Sequence, residues 1–406
     1  MFLPDALRGG GGYIKLSLIY DFRNILFMSR FIAFMLALTA AGFFIGCDQY
    51  AIFYAVSKEE KLKEPKIPGS LTKIVKTGED PDTDKLYVSN GKIFVCEKGS
   101  GDWRWSGFSN PPGGDVRDIA VCGTGSTSIL YALTINYSNG DSAIWKYDSG
   151  WSRIASDSNL GYQAIYGTDT HLFAALYRGP PSKSGNDYKI VAFNAAGSYQ
   201  CESSATYFLT GAAHPTGSNY YLSTKGAGIF YYSSIPTASP LPLTDKVTGT
   251  ADSINALLVY DLVNYKIAAS SHEGHIYQIS GTTATTSDDK GTLSASGTLA
   301  LWNNGSAKLL LVGFKVDSYR FGYREMDIDA SGNINFSSFR SPSTSVNDNE
   351  SYIATLEKKA LNGLMQAPGP TPAGDFPLVF ASTQKDGLWS FRRGGDENRF
   401  IWNRED

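Results

Sequence analysis

Residues 91–99 read GKIFVCEKG, the first of seven similar segments in this 406-residue chain. Each segment begins near a glycine or another turn residue, continues with an aliphatic residue and an aromatic or branched one, and ends at a second turn. The other six are SAIWKYDSG (142–150), YKIVAFNAAG (188–197), AGIFYYSS (227–234), GHIYQISG (274–281), FGYREMDIDASG (321–332) and DGLWSFRRGG (386–395). Equivalent apolar positions, from Ile93 to Leu388, recur at intervals of 39 to 65 residues, which indicates an array of one repeated unit.

The segments have similar neighbours. Upstream of each lies an apolar run such as ILYALT (129–134) or HLFAALY (171–177), with another apolar run before it, and downstream comes a shorter amphipathic piece such as DWRWSGF (102–108). Branched and aromatic residues between Gly, Asn, Asp and Ser turns are typical of β-strands. No stretch after residue 70 has a sustained helical period. Each unit is therefore predicted to be a four-stranded antiparallel meander.

One such sheet cannot cover both of its faces, so neighbouring units must pack face to face. Residues 71–406 divided among seven units give about 48 residues each, which lies in the range of propeller blades. The chain therefore resembles a seven-bladed β-propeller, an all-β fold. Six or eight blades, or two β-sandwiches, are the alternatives.

The composition excludes several classes of protein. Charged residues make up 18% of the chain and aromatic residues 13%, which is typical of neither a disordered segment nor a coiled coil. The net charge of −3 provides no positive field for a polyanion, and we expect no nucleic-acid partner. Four Cys and four His are too few for a disulfide scaffold or a dense metal cluster. We expect no cofactor.

The segment MSRFIAFMLALTAAGFFIGC, residues 28–47, has the layout of a secretory signal. Arg30 precedes sixteen uncharged residues, and Cys47 follows them. Sixteen residues rise about 24 Å as a helix, which is less than the roughly 30 Å of a hydrocarbon core. A permanent membrane span is therefore the weaker interpretation. Residues 1–27 sit awkwardly ahead of this signal, and we predict that translation begins at Met28.

Phe44-Ile45-Gly46-Cys47 resembles the lipobox of bacterial lipoproteins, in which a small residue precedes a Cys that receives a diacylglycerol thioether. Phe44 stands where Leu is common, and relaxed lipoboxes of this sort resemble those of spirochaetal lipoproteins. The resemblance implies that an acyl anchor on Cys47 holds the protein to a lipid bilayer of the cell envelope. It leaves open whether the protein faces the periplasm, at the inner or the outer membrane, or the cell surface.

A linker is predicted between the anchor and the repeats. Residues 57–70, SKEEKLKEPKIPGS, alternate in charge sign and close with two prolines and a glycine, as is typical of a solvated tether. We therefore divide the chain into a signal region (1–46), the lipidated Cys with its linker (47–70) and the propeller (71–406).

The segment DIDASGNINFSS, which begins at Asp327, resembles the start of a calcium-binding loop. Asp327, Asp329 and Ser331 stand at positions 1, 3 and 5 of such a loop, and a glycine stands at position 6. Position 12 is Ser338 rather than Glu, so the bidentate carboxylate is missing. Because Asp and Gly are also favoured in tight hairpin turns, we predict a turn here rather than a metal site.

His272 and His275 lie three residues apart in SHEGHIY. No third His or Cys is near in sequence, and His-x-x-His on a turn is much less specific than a helical His-Glu-x-x-His motif. We predict a surface turn between two strands. His171 and His214 are isolated in the sequence, and we assign them no role.

Cys96, Cys122 and Cys201 remain once Cys47 is lipidated. Cys96 and Cys122 fall on strands of neighbouring units, so a disulfide between them is one alternative in an oxidising envelope. Apolar strand residues surround both, which favours buried free thiols. No pair of cysteines has the spacing of a redox or zinc motif.

The sequence lacks the marks of enzymatic propellers. The Asp-box of sialidases, the tryptophan repeats of quinoprotein dehydrogenases and a Ser/His/Asp set are all absent. We therefore expect no catalytic residues and a non-enzymatic protein.

The predicted topology places the longest irregular stretches on one face. In the usual propeller strand order, the loops between strands 2 and 3 and those between blades emerge together, and 106–115, 177–188 and 337–351 are of these kinds. The Pro-rich stretch 363–376 maps to the opposite face. Loops on a rigid scaffold commonly carry binding residues, although tolerated insertions are the alternative.

We predict a lipid-anchored module that binds a protein or an extracellular ligand. The alternatives are a structural scaffold in outer-membrane or envelope assembly, which resembles the lipid-anchored propeller of outer-membrane protein insertion, and a hydrolase or lyase that uses the central channel.

Replacing the predicted lipid-bearing residue tests the anchor. We expect Cys47→Ser to leave the precursor unlipidated and to move the protein into the soluble fraction, because the thioether cannot form. Fractionation of cells followed by immunoblotting measures this. Continued membrane attachment of the variant would contradict the prediction.

Overall fold

Seven antiparallel sheets follow one another along the chain in the computed structural model. It describes residues 66–99, 102–158, 161–177, 188–203, 207–215, 219–251, 253–287, 296–315, 322–341, 356, 359–369, 378–394 and 399–405. The chain divides into two compact units, Met1–Glu64 and Pro65–Asp406, and all described residues belong to the second. The predicted start at Met28 and lipidation at Cys47 therefore lie outside the described residues.

The sheets are numbered as blades in chain order. Blade 1 contains β1 (Val75–Lys76), β2 (Leu86–Ser89), β3 (Ile93–Lys98) and β4 (Trp103–Gly107). Blade 2 contains β5 (Asp115–Cys122), β6 (Ile129–Asn136), β7 (Asp141–Tyr147) and β8 (Trp151–Asp157). Blade 3 contains β9 (Tyr162–Gly167), β10 (His171–Tyr177), β11 (Tyr188–Asn194) and β12 (Tyr199–Glu202).

Blades 4 to 7 follow the same order. Blade 4 contains β13 (Phe208–Ala213), β14 (Tyr220–Lys225) and β15 (Gly228–Tyr232). Blade 5 contains β16 (Ile254–Asp261), β17 (Lys266–Ser271), β18 (Ile276–Ser280) and β19 (Thr283–Thr286). Blade 6 contains β20 (Ser296–Asn303), β21 (Lys308–Phe314) and β22 (Tyr323–Ile328), and blade 7 contains β23 (Leu361–Gln366), β24 (Val379–Thr383), β25 (Leu388–Gly394) and β26 (Arg399–Arg404).

The repeated segment forms the third strand of every blade. The seven copies coincide with β3, β7, β11, β15, β18, β22 and β25. The chain is thus an all-β, seven-bladed propeller, as the spacing predicted. Short 3₁₀ turns at Gly125–Thr127 and Phe336–Ser338 interrupt the connections.

The prediction of four strands in every unit is wrong for blades 4 and 6, within the described residues. After β15 the chain reads SSIPTASPLPLT, and its prolines lack the N–H that a ladder needs. Only isolated bridges such as Phe230 to Lys246 take the place of a fourth strand there. After β22 the described chain forms a tight turn and a 3₁₀ turn instead of a regular fourth strand. Two isolated bridges, Ile328 to Ile334 and Glu325 to Arg340, take its place.

The second strand of each blade is buried on both faces. In β10, Leu172, Ala174 and Leu176 pack against blade 2, whereas Phe173 and Ala175 pack against blade 4. Successive side chains of a strand point to opposite faces, so a strand between two neighbours must be apolar throughout. Among the described residues, seven apolar clusters form in this way, each from two adjacent blades.

One of these clusters joins blade 7 to blade 1 and closes the ring. Ile67, Leu71 and Ile74 pack in it with Phe380 and Leu388 of blade 7. Phe380 also meets the ring of Trp105 edge to face, with 5.3 Å between the centroids. Such aromatic pairs contribute beyond their buried area.

Backbone hydrogen bonds strengthen the same closure. Lys66 N donates to Glu405 O at 3.0 Å, and Leu71 N donates to Thr383 O at 3.0 Å. Residues 66–70, which the sequence assigned to the linker, therefore belong to the propeller, and Ile67 among them is fully buried. At Gly363 in β23 a Cβ would lie 2.7 Å from Ile74 N, so only glycine allows the first strands of blades 7 and 1 to approach so closely.

The alternating strand directions define two faces of the ring. We call the face on which first strands begin and second strands end the top face, and the other the bottom face. The connections 106–115, 177–188 and 337–351 lie between strands that meet at the top face, as predicted. The connection after β23, within 363–376, leaves from the bottom face.

Truncating a side chain in the closing cluster tests its contribution. Phe380→Ala removes a fully buried ring, and we expect the free energy of unfolding to fall by about 3–5 kcal/mol. Urea denaturation followed by tryptophan fluorescence measures it. The matched control is Tyr137→Ala, whose ring is 68% exposed and whose loss should change stability little. Equal stability of the two variants would contradict a ring closed by this cluster.

Candidate functional site

The first strands of the blades lie beside one another around the ring axis and enclose a channel. A cavity of about 210 Å³ occupies this channel, lined from five blades. The lining includes Lys73 and Lys76 of blade 1, Val121 of blade 2, Tyr166 of blade 3, Ala212 of blade 4 and Met365 of blade 7. A site here is assembled from parts of the chain that are far apart in sequence.

A β-bulge recurs at the start of the first strand. In blades 2 to 7 the register with the second strand skips one residue at this point. The skipped residues are Arg117, Gln163, Thr210, Asn255, Gly297 and Asn362. A bulge redirects a side chain and bends its strand, so these bulges place a set of mostly polar, partly exposed residues at the top mouth of the channel.

One ion pair links three blades at this mouth. Lys73 Nζ of blade 1 donates to both carboxylate oxygens of Asp118 in blade 2, each at 2.8 Å, and to Ile165 O of blade 3 at 2.6 Å. It also lies 4.4 Å from the ring centroid of Tyr166, a favourable cation–π arrangement. Asp118 in turn accepts from Ile165 N at 3.0 Å. Both charges are therefore held by fixed partners rather than by water.

A second polar cluster lies at the bottom face between blades 3 and 4. His214 Nδ1 lies 2.5 Å from Asp169 Oδ1, and its ring stacks on Tyr220 with 3.8 Å between centroids. Tyr220 shares a hydrogen bond of 2.6 Å with Thr170. The pKa of nearby His171 is lowered by burial and secondarily by His214, with Asp169 opposing. The sequence assigned His171 and His214 no role, because these residues come together only when two blades pack.

The residues of the calcium-like segment already have protein partners. Asp327 accepts from Nη1 and Nη2 of Arg340, both at 2.8 Å, which lowers the pKa of the carboxyl. Asp329 accepts from Asn333 N at 2.7 Å, and Ser331 O accepts from Lys266 Nζ at 2.7 Å. Cationic side chains thus approach the oxygens that a calcium ion would need.

No metal-binding cluster of three or more His, Cys, Asp or Glu side chains occurs among the described residues. In the same part of the chain, no helix is long and apolar enough to cross a membrane.

His272 and His275 lie in the turn between β17 and β18, as predicted. His272 N donates to Ser253 O at 2.9 Å, and His275 N donates to Ser271 Oγ at 3.1 Å. Both residues therefore belong to a hairpin turn at the top face.

The three cysteines of the propeller are free and buried. Cys96, Cys122 and Cys201 belong to three different interblade clusters, which excludes the alternative of a disulfide between Cys96 and Cys122. Burial raises the pKa of all three thiols, that of Cys201 to about 11. Their nucleophilic thiolate form is therefore scarce at neutral pH.

A larger cavity, of about 400 Å³, lies on the outer strands of blade 2. Asn136, Trp145, Arg153 and Asp157 are among its lining residues. It draws on one blade and the connection before it, whereas the channel mouth combines charged groups from several blades. The channel mouth is therefore the stronger candidate site.

Thiol titration tests the burial of the cysteines. In Cys47→Ser protein, we expect Ellman's reagent to react with the three remaining thiols only after denaturation, because the folded chain shields them and raises their pKa. Cys201→Ser should lower the count in denaturant by one. Rapid reaction of the native protein would contradict this arrangement.

Comparison with known proteins places the chain among bacterial lipoproteins. An uncharacterised lipoprotein of Treponema pallidum (strain Nichols) is 25% identical over 393 aligned residues, which cover 88% of this chain and 93% of that protein. A second from the same organism is 35% identical over 86 residues, which cover 21% of this chain and 17% of the relative. A third is 30% identical over 131 residues, which cover 31% of this chain and 28% of the relative.

A solved structure supports the fold. The WD40 β-propeller domain of Doa1 superposes with a TM-score of 0.50 on 82% of this chain and 96% of its own, at 11% identity. At this identity the likeness concerns the fold alone. The profile of the TP013X lipoprotein family matches residues 25–353, most of the sequence. The predicted resemblance to a spirochaetal lipoprotein with a propeller is thus confirmed, and the chain belongs to the TP013X lipoprotein family.

Proposed function

We propose that this protein is held to an envelope membrane by an acyl group on Cys47. We further propose that its propeller binds a partner or ligand at the top face, without catalysing a reaction. The observation that carries the binding role is the channel mouth, where an ion pair between blades 1 and 2 and its partners in blade 3 are fixed by the closed ring. A surface organised before binding loses little conformational entropy when a ligand arrives.

The top face supports this role because it gathers the longest connections. The strand ends that flank the link between blades 1 and 2, the loop between β10 and β11 and the link between blades 6 and 7 lie on that face. Among the strands that flank these connections, β10 is buried along most of its length. Variable loops on such a rigid frame suit recognition.

The chemistry of the channel supports binding over catalysis. Lys73 and Asp118 are engaged with each other and with backbone groups, so neither is poised to exchange a proton with a substrate. Burial, with a smaller contribution from Asp118, raises the pKa of Tyr166, and its hydroxyl stays protonated at neutral pH. These groups can hold a ligand in place.

Site-specific photo-crosslinking in intact cells tests the binding face. A benzoylphenylalanine replaces Tyr137, which is 68% exposed in the top-face turn between β6 and β7, or Tyr199, which is 53% exposed where the chain enters β12 from the bottom face. We expect a discrete adduct from position 137 and none from position 199. Both positions hold exposed tyrosines in adjacent blades, so the pair differs mainly in its face.

Mass spectrometry of the adduct separates the alternatives. Capture of the outer-membrane protein insertion machinery would favour the scaffold role, and another envelope or extracellular protein would favour a binding module. Adducts from position 199 alone would contradict a binding role for the top face.

A further inference from the structure

A third charged group, Lys315, joins Lys73 and Asp118 at the top mouth. Lys315 directly follows β21, the second strand of blade 6, and its side chain lies across the bulge of the neighbouring first strand. A Cβ added to Gly297, the bulge residue, would lie 2.0 Å from Lys315 Cγ and 2.3 Å from its Cε. The absence of a side chain at Gly297 therefore leaves the space that the lysine side chain occupies at the mouth.

Lys315 has no anionic partner there. Among the residues that the structure describes, none forms a hydrogen bond or ion pair with its ammonium group, whereas Lys73 occupies both oxygens of Asp118. The pKa of Lys315 is lowered by loss of surrounding water and secondarily by the charge of Lys73, with Asp118 opposing. The residue is exposed to solvent, so an anion from outside the chain can reach its ammonium group.

The channel below these charges is mostly apolar, and Lys76, which also lines it, is paired with Glu79. Val121, Ala212 and Met365 come from three different blades to line it, together with the ring of Tyr166. The cavity volume is about 210 Å³. It suits a small ligand with one charged end and a short apolar body.

We propose that the top mouth of the channel binds a carboxylate, which Lys315 holds beside the Lys73–Asp118 pair while an apolar stem lies against Val121, Ala212 and Met365. The carboxylate belongs either to a free small acid or to an acidic side chain of a partner. This inference rests on the proposed binding function and names its ligand chemistry.

The charges favour a carboxylate over a phosphate. Lys73 and Asp118 compensate each other, so the three groups carry one net positive charge, and the nearby Arg117 is exposed to solvent, where its charge is screened. A monoanion balances that charge, whereas a dianion would bring excess negative charge close to Asp118. Like charges at short range in a partly desolvated site repel strongly.

The first source, a free small acid, is tested by calorimetric titration of the purified full chain with butanoate at low ionic strength. Butanamide, of nearly equal size but neutral, is the control ligand. We expect butanoate to bind, butanamide not to bind, and Lys315→Met to weaken butanoate binding about tenfold or more, as for loss of a charge-assisted hydrogen bond. Circular dichroism verifies that the variant is folded.

Three further variants separate position from charge. Lys225→Met removes a lysine at the same register position in blade 4, where the bulge residue Thr210 has a side chain, and should leave binding unchanged. Gly297→Ala keeps every charge but displaces Lys315, and should weaken binding. Asp118→Asn frees Lys73 from its carboxylate and should tighten binding severalfold. Equal effects of the Lys315 and Lys225 variants would overturn the local site in favour of a general charge effect.

The second source, an acidic side chain of a partner protein, is tested by crosslinking from position Tyr137. If butanoate does not bind but Lys315→Met abolishes the adduct, the carboxylate comes from a partner. If butanoate does not bind and the adduct persists in Lys315→Met, the carboxylate proposal is wrong while the proposed binding function stands. If position 137 gives no adduct even when Lys315 is unchanged, the proposed binding function is contradicted instead.

Discussion

Every part of this protein depends on the face-to-face packing of sheets that cannot bury both faces alone. A blade of three or four strands exposes an apolar surface on each side, and in water that surface is costly at roughly 25 cal/mol per Å². Each blade is covered only by its two neighbours. A linear stack of blades would leave an uncovered apolar face at each end. The contact of Ile67 and Leu71 with Phe380 and Leu388 covers both of these faces by closing the ring.

The closed ring also imposes the character of the channel. First strands that converge on one axis need small residues where they meet, such as Gly363 beside the backbone of Ile74. The inner edge of each first strand has no further strand to pair with, and the recurrent bulges turn polar side chains toward that edge. Polar groups in the channel are thus a consequence of the fold, and the identity of those groups decides what the mouth can bind.

The architecture could be predicted from the sequence because its signal is local and repeated. The seven segments from GKIFVCEKG onward mark third strands, and the uninterrupted run HLFAALY marks a strand buried on both sides. The lack of a regular fourth strand in blade 4 could also have been predicted, because the prolines after β15 cannot donate the backbone hydrogen bonds of a strand pair. A polar residue before a small one in VRDI, YQAI and LNGL was a signal for the bulges that the sequence analysis did not use.

The channel site could not be predicted, because nothing in the spacing of residues 73, 118 and 315 relates them. Lys73 and Asp118 are 45 residues apart, and only the curvature of the ring brings their blades within reach.

Lys315 differs from Arg340, Lys359 and Lys73 in how its charge is compensated. Arg340 has Asp327, Lys359 has Asp386 at 3.1 Å, and Lys73 has Asp118. These pairs are structural, because both charges are supplied by the chain and each satisfies the other. Gly297 leaves room for the Lys315 side chain, and loss of surrounding water, with a smaller effect of the Lys73 charge, lowers the pKa of its ammonium group. A carboxylate from outside the chain would supply the negative partner that Arg340, Lys359 and Lys73 already have within the chain, and this leaves Lys315 available for binding.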